Sequence, residues 1–388
     1  VPYTLGGTVL TYLLTRNITK MLAVLMVDFS CALKLAIPIA VLSAMRESSV
    51  HHISVKGGRF LEAVAKADTI VFDKTGTLTY AAPTVARVVT FGGHNEADML
   101  RLAACLEEHY PHSMANAVVE EAGRRGLSHE EYHSQVQYVV AHGISSMVND
   151  KKVLIGSAHF VFEDEGCRIP EDEREKYAAL PAEYSHLYLC IAGELAAVIC
   201  IFDPLRKEAR DAVAALHANG FSNVVMMTGD NRNTAESVAA EVGVDAVYSE
   251  VLPEDKAAFV REEKAMGHTV IMVGDGVNDS PALSEADAGI AISTGAAIAR
   301  EIADITVASE DLFALVTLRR LSEGLMQRLH WSYRFIVSFN FSLIVLGVAG
   351  VLPPTTSALL HNASTLGIGL KNMTNLLDEA DNKHTYNK

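Results

Sequence analysis

Asp68-Thr69-Ile70-Val71-Phe72-Asp73-Lys74-Thr75-Gly76-Thr77-Leu78-Thr79 is the stretch whose reading decides the fold of this 388-residue chain. The β-branched and aromatic run before Asp73 predicts a short buried strand. A carboxylate at the end of such a strand, followed at once by Thr-Gly-Thr, is placed to attack a phosphoryl group. Backbone N–H groups of the loop and the Lys74 charge would hold the phosphate oxygens. Position 75, two residues past the carboxylate, carries Thr rather than a second acid. With no base there, an aspartyl-phosphate at Asp73 would form and persist.

Four further strings fall at related places. Thr228-Gly229-Asp230 follows the apolar run Val224–Met227, and Gly274-Asp275-Gly276-Val277-Asn278-Asp279 follows Thr269–Val273. Lys256 opens a helix after Pro253-Glu254-Asp255, and Asp203-Pro204-Leu205-Arg206 opens the first helix after an insertion. From Ile199 onward strands and helices alternate, which predicts a parallel, doubly wound sheet. Ligands of such sheets bind beyond the carboxyl ends of the strands. Phosphoryl transfer to a carboxylate must screen negative charge, and Mg²⁺ takes one or two carboxylates plus phosphate. Asp73, the Thr75 carbonyl and Asp275 are the expected ligands, with Asp279 orienting the ion or its waters. Lys256 and the Thr228 hydroxyl are expected on phosphate oxygens. The expected catalytic set is Asp73, Lys74, Thr75, Thr77, Thr228, Gly229, Asp230, Lys256 and Asn278. Taken singly, Gly-Asp-Gly and Thr-Gly-Asp are ordinary turn sequences; their convergence on one sheet edge carries the argument.

The formal charge of −15 argues against nucleic acid as a partner. Five Cys without a Cys-x-x-Cys pair give neither a disulfide framework nor a zinc ribbon. Apolar residues concentrate before residue 46 and between residues 331 and 377. Residues 21–45 are expected to form a tilted transmembrane helix, preceded by a shorter apolar stretch cut at its start. Trp331–Leu352 and Thr355–Leu377, joined by Pro353-Pro354, read as a membrane hairpin. The predicted organisation is membrane helices over 1–46, the start of a phosphorylation domain over 47–80, an insertion over 81–200, the rest of that domain over 201–325, two membrane helices over 326–377 and a polar tail over 378–388.

Asp28-Phe29-Ser30-Cys31-Ala32-Leu33-Lys34-Leu35-Ala36-Ile37-Pro38 lies within the first expected membrane helix. Ionisable groups at that depth point to function. Asp28, Cys31 and Leu35 share one helical face, and Pro38 leaves the Lys34 carbonyl without an N–H partner. A thiolate beside oxygen ligands makes a cation site. One thiolate with O and N partners suits a borderline divalent ion such as Zn²⁺, Mn²⁺, Ni²⁺ or Fe²⁺. Asn340, His361, Asn362, Ser364 and Thr365 are further candidates from the last two helices. Against this, Ser and Thr also pack helix interfaces, and Lys34 could simply pair with Asp28.

Asp73-Lys74-Thr75-Gly76-Thr77, together with the order of the other strings from about residue 20 to about residue 375, resembles P-type ATPases of the heavy-metal-transporting subgroup. Thr75 is the departure from soluble phosphatases of the haloacid dehalogenase class, which carry a second Asp there. The resemblance implies an α/β fold: a haloacid dehalogenase-like doubly wound phosphorylation domain, an inserted α+β nucleotide-binding domain and flanking transmembrane helices. It implies ATP and Mg²⁺ as cofactors and a transition-metal ion as cargo, exported across the plasma membrane, with residues 47–325 cytoplasmic and the lipid bilayer as a partner. In the insertion, Pro111-His112-Ser113 and Ala141-His142-Gly143 resemble the subgroup's nucleotide strings. His112 is expected to stack on adenine and Gly143 to allow close backbone approach, with His109 a possible substitute. Ser113 as a plain helix cap is the competing reading. Asp203 and Arg206 resemble hinge-side nucleotide contacts, and His361-Asn362-Ala363-Ser364-Thr365 resembles the subgroup's final-helix string. No Thr-Gly-Glu string occurs in the sequence, so the actuator domain and first helices are expected to lie on a missing N-terminal part of the same pump. The chain alone is then expected to phosphorylate but not turn over. A membrane-tethered haloacid dehalogenase-like phosphatase is the alternative.

Overall fold

The computed structural model describes residues 2–27, 29–80, 82–108, 113–127, 133–139, 143–181, 184–275, 279–292, 301–308 and 311–377. The chain divides into two compact units, Ala67–Phe313 and the pair of segments Val1–Lys66 and Ala314–Lys388.

In the Ala67–Phe313 unit, parallel strands lie in the order Ile305–Val307, Ala288–Ile292, Val270–Gly274, Thr69–Asp73, Asn223–Met227, Ala246–Tyr248. Thr69–Asp73, Val270–Gly274 and Ala288–Ile292 are buried along their whole lengths. That is why they read as unbroken apolar runs: helices cover both faces of a parallel sheet. Register then positions the site. Asp73 lies opposite Met227 and Phe72 opposite Val273, so Thr228 and Gly274 emerge at the same sheet rim as Asp73. The helix Pro253–Ala265 starts with proline, and its Asp255 carboxylate accepts a hydrogen bond from the Leu252 N–H at 3.2 Å. This fixes the turn that delivers Lys256.

The insertion folds as an antiparallel sheet in the order Thr84–Thr90, Glu194–Phe202, Ser185–Ile191, Lys151–Gly156, Gly143–Val148, His133–Val139. The helices Glu96–Glu107 and Ser113–Arg124 belong to this part, and one core joins Leu100, Leu106 and Val118 to Ile144, Ile155 and Leu189. A second core holds Phe91, Phe160, Tyr188 and Cys200. Strands Thr84–Thr90 and Gly143–Val148 were not expected from the sequence. Thr84–Thr90 is nearly half polar and Gly143–Val148 opens Gly-Ile-Ser-Ser, so neither gives a clear apolar alternation.

The other unit is helical. The single membrane helix expected over 21–45 is not one helix: Ile18–Leu25 ends at Met26 and a second helix runs Phe29–Val50. Asn17 starts the first, its side chain accepting from the N–H groups of Thr19 and Lys20 at 2.9 and 3.3 Å. An Asp immediately before Phe29 is a residue type that favours a helix start, a signal that average hydropathy hides. The expected helix Trp331–Leu352 is instead the latter half of Phe313–Val348, 36 residues long. The Asp311 side chain accepts from the Phe313 N–H at 2.8 Å at its start. Among the described residues, only this helix is both long and apolar enough to cross a membrane. Phe29–Val50 and Pro354–Asn372 have the length, at 22 and 19 residues, but less apolar composition. Small residues bring the helices together: a Cβ on Gly347 would lie 2.6 Å from the Ala23 Cβ. Asn372 ties three of them, donating to the Ala36 carbonyl at 2.9 Å and accepting from the Ser332 hydroxyl at 3.2 Å.

Candidate active site

Asp73 closes its strand in extended conformation, and Gly76 turns the following loop with φ 75°, a conformation that costs glycine little. The Thr79 hydroxyl holds the loop by accepting from the Gly76 N–H at 3.0 Å and donating to the Lys74 carbonyl at 3.3 Å. From outside, Arg206 Nε donates to the Thr77 carbonyl at 2.8 Å, and the Arg206 N–H donates to the Leu78 carbonyl at 2.9 Å. Arg206, expected at a nucleotide, is buried and braces the loop that follows Asp73. Asp203 sits beside it with Oδ1 buried and unpartnered, and burial raises its carboxyl above the ordinary range, against the opposing Thr79 and Lys74.

Lys256 reaches the sheet rim from its helix. Its Nζ donates to Asp73 Oδ1 at 2.6 Å and to Asp279 Oδ1 at 2.7 Å. All three groups are buried. Burial works against the ammonium charge, yet the two carboxylates outweigh it and hold Lys256 above its usual range. One lysine does not balance the carboxylates around it. Burial pushes Asp73 up to about 7, with Lys256 opposing and Asp279 and Asp275 adding to the rise. Asp279 Oδ2 and the Thr77 hydroxyl are buried without partners. Gly274 is required here, since a Cβ on it would stand 2.5 Å from Asp279 Oδ2.

These features fit a divalent cation. Surplus buried negative charge and an orphaned carboxylate oxygen are what a hard cation neutralises. Among the described residues no three His, Cys, Asp or Glu side chains converge as a metal group by themselves. Mg²⁺ does not need them to, because it keeps waters and shares phosphate oxygens.

Lys74 meets a different carboxylate from Lys256. Its Nζ pairs with Asp230 Oδ2 at 2.5 Å and donates to the Ser185 hydroxyl at 3.0 Å. Burial raises the Asp230 carboxyl, but the Lys74 ammonium, with hydrogen bonds from Lys74, Ser185 and Thr228, outweighs it and holds the group below the ordinary range. Thr228 serves Asp230 by donating to its Oδ2 at 3.0 Å. Gly229 lies between them on the surface, and Thr75 is half-buried in the loop. Asn278 lies outside the described residues. Ser185, a partner 111 positions from Lys74, has no local motif that could have marked it.

Of the nucleotide candidates, His109, His112 and the Ala141-His142 pair lie outside the described residues. Gly143 is described, and its missing side chain has a packing reason. A Cβ there would meet the Ile155 carbonyl and the Phe160 ring, each at 2.5 Å.

In the helical unit, a cavity of about 540 Å³ is lined by Met26, Cys31, Lys34, Leu35, His361, Asn362 and Thr365. Cys31 is an exposed free thiol in the first turn of Phe29–Val50. His361 Nδ1 hydrogen-bonds Asn340 Oδ1 at 3.0 Å; a carbonyl oxygen only accepts, so Nδ1 carries the proton and Nε2 the lone pair. Asn340 and Ser364, both expected as ligands, are not among the lining residues. The first holds His361, and the second donates to the His361 carbonyl at 2.8 Å. Asp28 lies outside the described residues.

Residues 67–287 match the haloacid dehalogenase-like hydrolase family model, and the chain belongs to that family. Its wider likeness is to heavy-metal-exporting P-type ATPases. It is 34% identical over 371 residues to a manganese-exporting P-type ATPase of Mycobacterium tuberculosis, covering 95% of this chain and 51% of the relative. It is 33% identical to a zinc-exporting P-type ATPase of Mycobacterium marinum, over 95% of this chain and 50% of the relative. The crystal structure of a zinc-transporting PIB-type ATPase in its E2·Pi state superposes with a TM-score of 0.68 at 28% identity, over 96% of this chain and 62% of the other. The chain spans about half the length of the curated relatives it matches.

Proposed function

We propose that this chain carries out the phosphorylation step of an ATP-driven transition-metal export pump. The observation that carries the reading is Asp73: a buried carboxylate at a sheet rim, held by Lys256, with Thr rather than an acid at position 75. The Asp73 oxygen forms the bond to the γ-phosphorus of ATP as the bond to the β–γ bridging oxygen breaks, and ADP leaves with the electron pair. Lys256 orients the nucleophile and balances charge. Asp73, Asp275, Asp279 and the Thr75 carbonyl would hold Mg²⁺, which screens the phosphate charge. Without a base beside Asp73, water is poorly activated and the acylphosphate lasts.

The inserted sheet domain would bring the nucleotide, and the helical unit, lying in a lipid bilayer, would carry the ion. Cys31 and His361 at the same cavity supply one sulfur and one imidazole nitrogen, a set suited to a borderline divalent ion. The names of the relatives span manganese, zinc and copper, so sequence identity does not choose among them. The test is acid-stable, hydroxylamine-sensitive labelling of the protein in membranes by γ-labelled ATP, screened across Mn²⁺, Zn²⁺, Ni²⁺ and Fe²⁺. Metal-dependent labelling is expected, absent in Asp73→Asn and unresponsive to metal in Cys31→Ala. Full metal response in Cys31→Ala would refute the cavity assignment.

A further inference from the structure

Tyr184, Ser185 and His186 stand at the start of a strand of the inserted sheet, and all three touch the phosphorylation domain. The Thr234 hydroxyl donates to the Tyr184 carbonyl at 2.8 Å. Asn231 Nδ2 lies 3.2 Å from His186 Nδ1, while His186 Nε2 lies 3.0 Å from the Pro181 carbonyl. That carbonyl can only accept, so Nε2 carries the proton and Nδ1 accepts from Asn231. Asn231 also caps the helix Arg232–Val242, accepting from the Thr234 N–H at 3.0 Å. Between these two contacts, Ser185 faces the residue after the nucleophile.

The Lys74 ammonium joins Ser185 to Asp230. It donates to the Ser185 hydroxyl at 3.0 Å and pairs with the Asp230 carboxylate at 2.5 Å, and Ser185 helps hold the Asp230 carboxyl below the ordinary range. Lys74 and Ser185 are 3% and 4% exposed, so water does not replace a lost partner cheaply. Lys74 and Asp230 belong to the phosphorylation domain and Ser185 to the inserted domain. Separating the domains would break the Lys74–Ser185 contact and leave the Lys74–Asp230 pair.

We propose that Ser185 is a positioning residue for phosphoryl transfer: from the inserted domain it fixes the Lys74 ammonium, and through Lys74 the Asp73 loop, so that the loop is competent when the two domains sit as they do here. This rests on the reading that Asp73 accepts phosphate. The contacts of Thr234 and Asn231 hold the strand, whereas the Ser185 contact acts on the loop. The domain that would carry ATP thereby helps shape the loop that receives its phosphate.

The experiment measures initial rates of Asp73 labelling by γ-labelled ATP, across ATP concentrations, in the full chain. Ser185→Ala is expected to lower the plateau rate about tenfold, the scale of one lost hydrogen bond to a charged group, with the half-saturating ATP concentration unchanged. Ser185→Thr, which keeps the hydroxyl, restores the rate, and Thr234→Val, which removes only the neighbouring strand contact, leaves it near wild type. Labelling of Ser185→Ala at the wild-type rate would overturn the proposal. So would a change confined to half-saturation, failure of Ser185→Thr to restore the rate, or equal slowing by Thr234→Val. An unlabelled wild-type protein would overturn the phosphorylation reading itself, and this inference with it.

Discussion

The rim of the parallel sheet and the cavity among the helices are opposite solutions to handling charge. At the rim, charged groups are buried and already paired: Lys256 with Asp73 and Asp279, Lys74 with Asp230. The cavity has an exposed thiol, an exposed lysine and an imidazole fixed from behind by Asn340. The contrast suits the two tasks proposed for them. A phosphoryl group needs fixed charges aimed at it before it arrives. A translocated ion needs few ligands and a way out, since a site that binds too completely would not release it.

The largest expected effect lies at the rim. Lys256→Met should abolish phosphorylation and lower stability by about 3–5 kcal/mol, because two carboxylates lose the cation buried with them. Chemical denaturation measures this. If the pairing is dispensable, stability will barely move and the contrast with the cavity weakens.

Titration of Asp73 comes next. Its carboxyl is raised from 3.8 to about 7, so between these values the folded protein holds a proton that the unfolded chain has lost. Stability from this group is complete below pH about 4, falls as pH rises towards 7 and is gone above it, a change of up to about 4 kcal/mol. Asp73→Asn should flatten this slope, and Mg²⁺ should reduce it in the wild type by favouring the carboxylate. Parallel slopes for the two proteins, from denaturation across pH, would show that the rim is less crowded with charge than its geometry indicates.

Gly143→Ala sharpens the comparison from a third place. The new Cβ meets a backbone carbonyl and an aromatic ring, at an expected cost of about 1–3 kcal/mol, read as a fall in Tm. A stable variant with weakened ATP binding would restore the nucleotide role expected from the sequence. The smallest stability effect should be at the cavity. Cys31→Ala should change Tm little, because the thiol is exposed, while removing the metal response of phosphorylation.

What the sequence made legible follows from the range of the interactions. Asp73, Thr228, Asp275 and Asp279 could be placed because each follows a buried parallel strand, and parallel strands end at a common rim. Lys256 could be placed because a proline and a capping acid fix its turn. Ser185 could not, since its role depends on a contact between two domains far apart in sequence. The partners of Lys74 are hidden for the same reason: its neighbour in sequence is Asp73, but its side chain meets Asp230 and Ser185. Cys31 and His361 stand out in the sequence as soft or ionisable groups in apolar runs, and both line one cavity. The place of Asn340 behind His361 depends on how two helices pack, which its residue type does not reveal. Hydropathy averaged over a window also missed the break between Leu25 and Phe29, which is a local event.

The lifetime of phosphate on Asp73 is the most direct test. The protein in membranes is labelled with γ-labelled ATP and Mg²⁺, chased with unlabelled ATP and quenched in acid at intervals, beside Thr75→Asp. A hydroxylamine-sensitive label that persists in the wild type and decays much faster in Thr75→Asp is the predicted result. A wild-type label that never forms, or that is lost as quickly as in Thr75→Asp, would contradict the account.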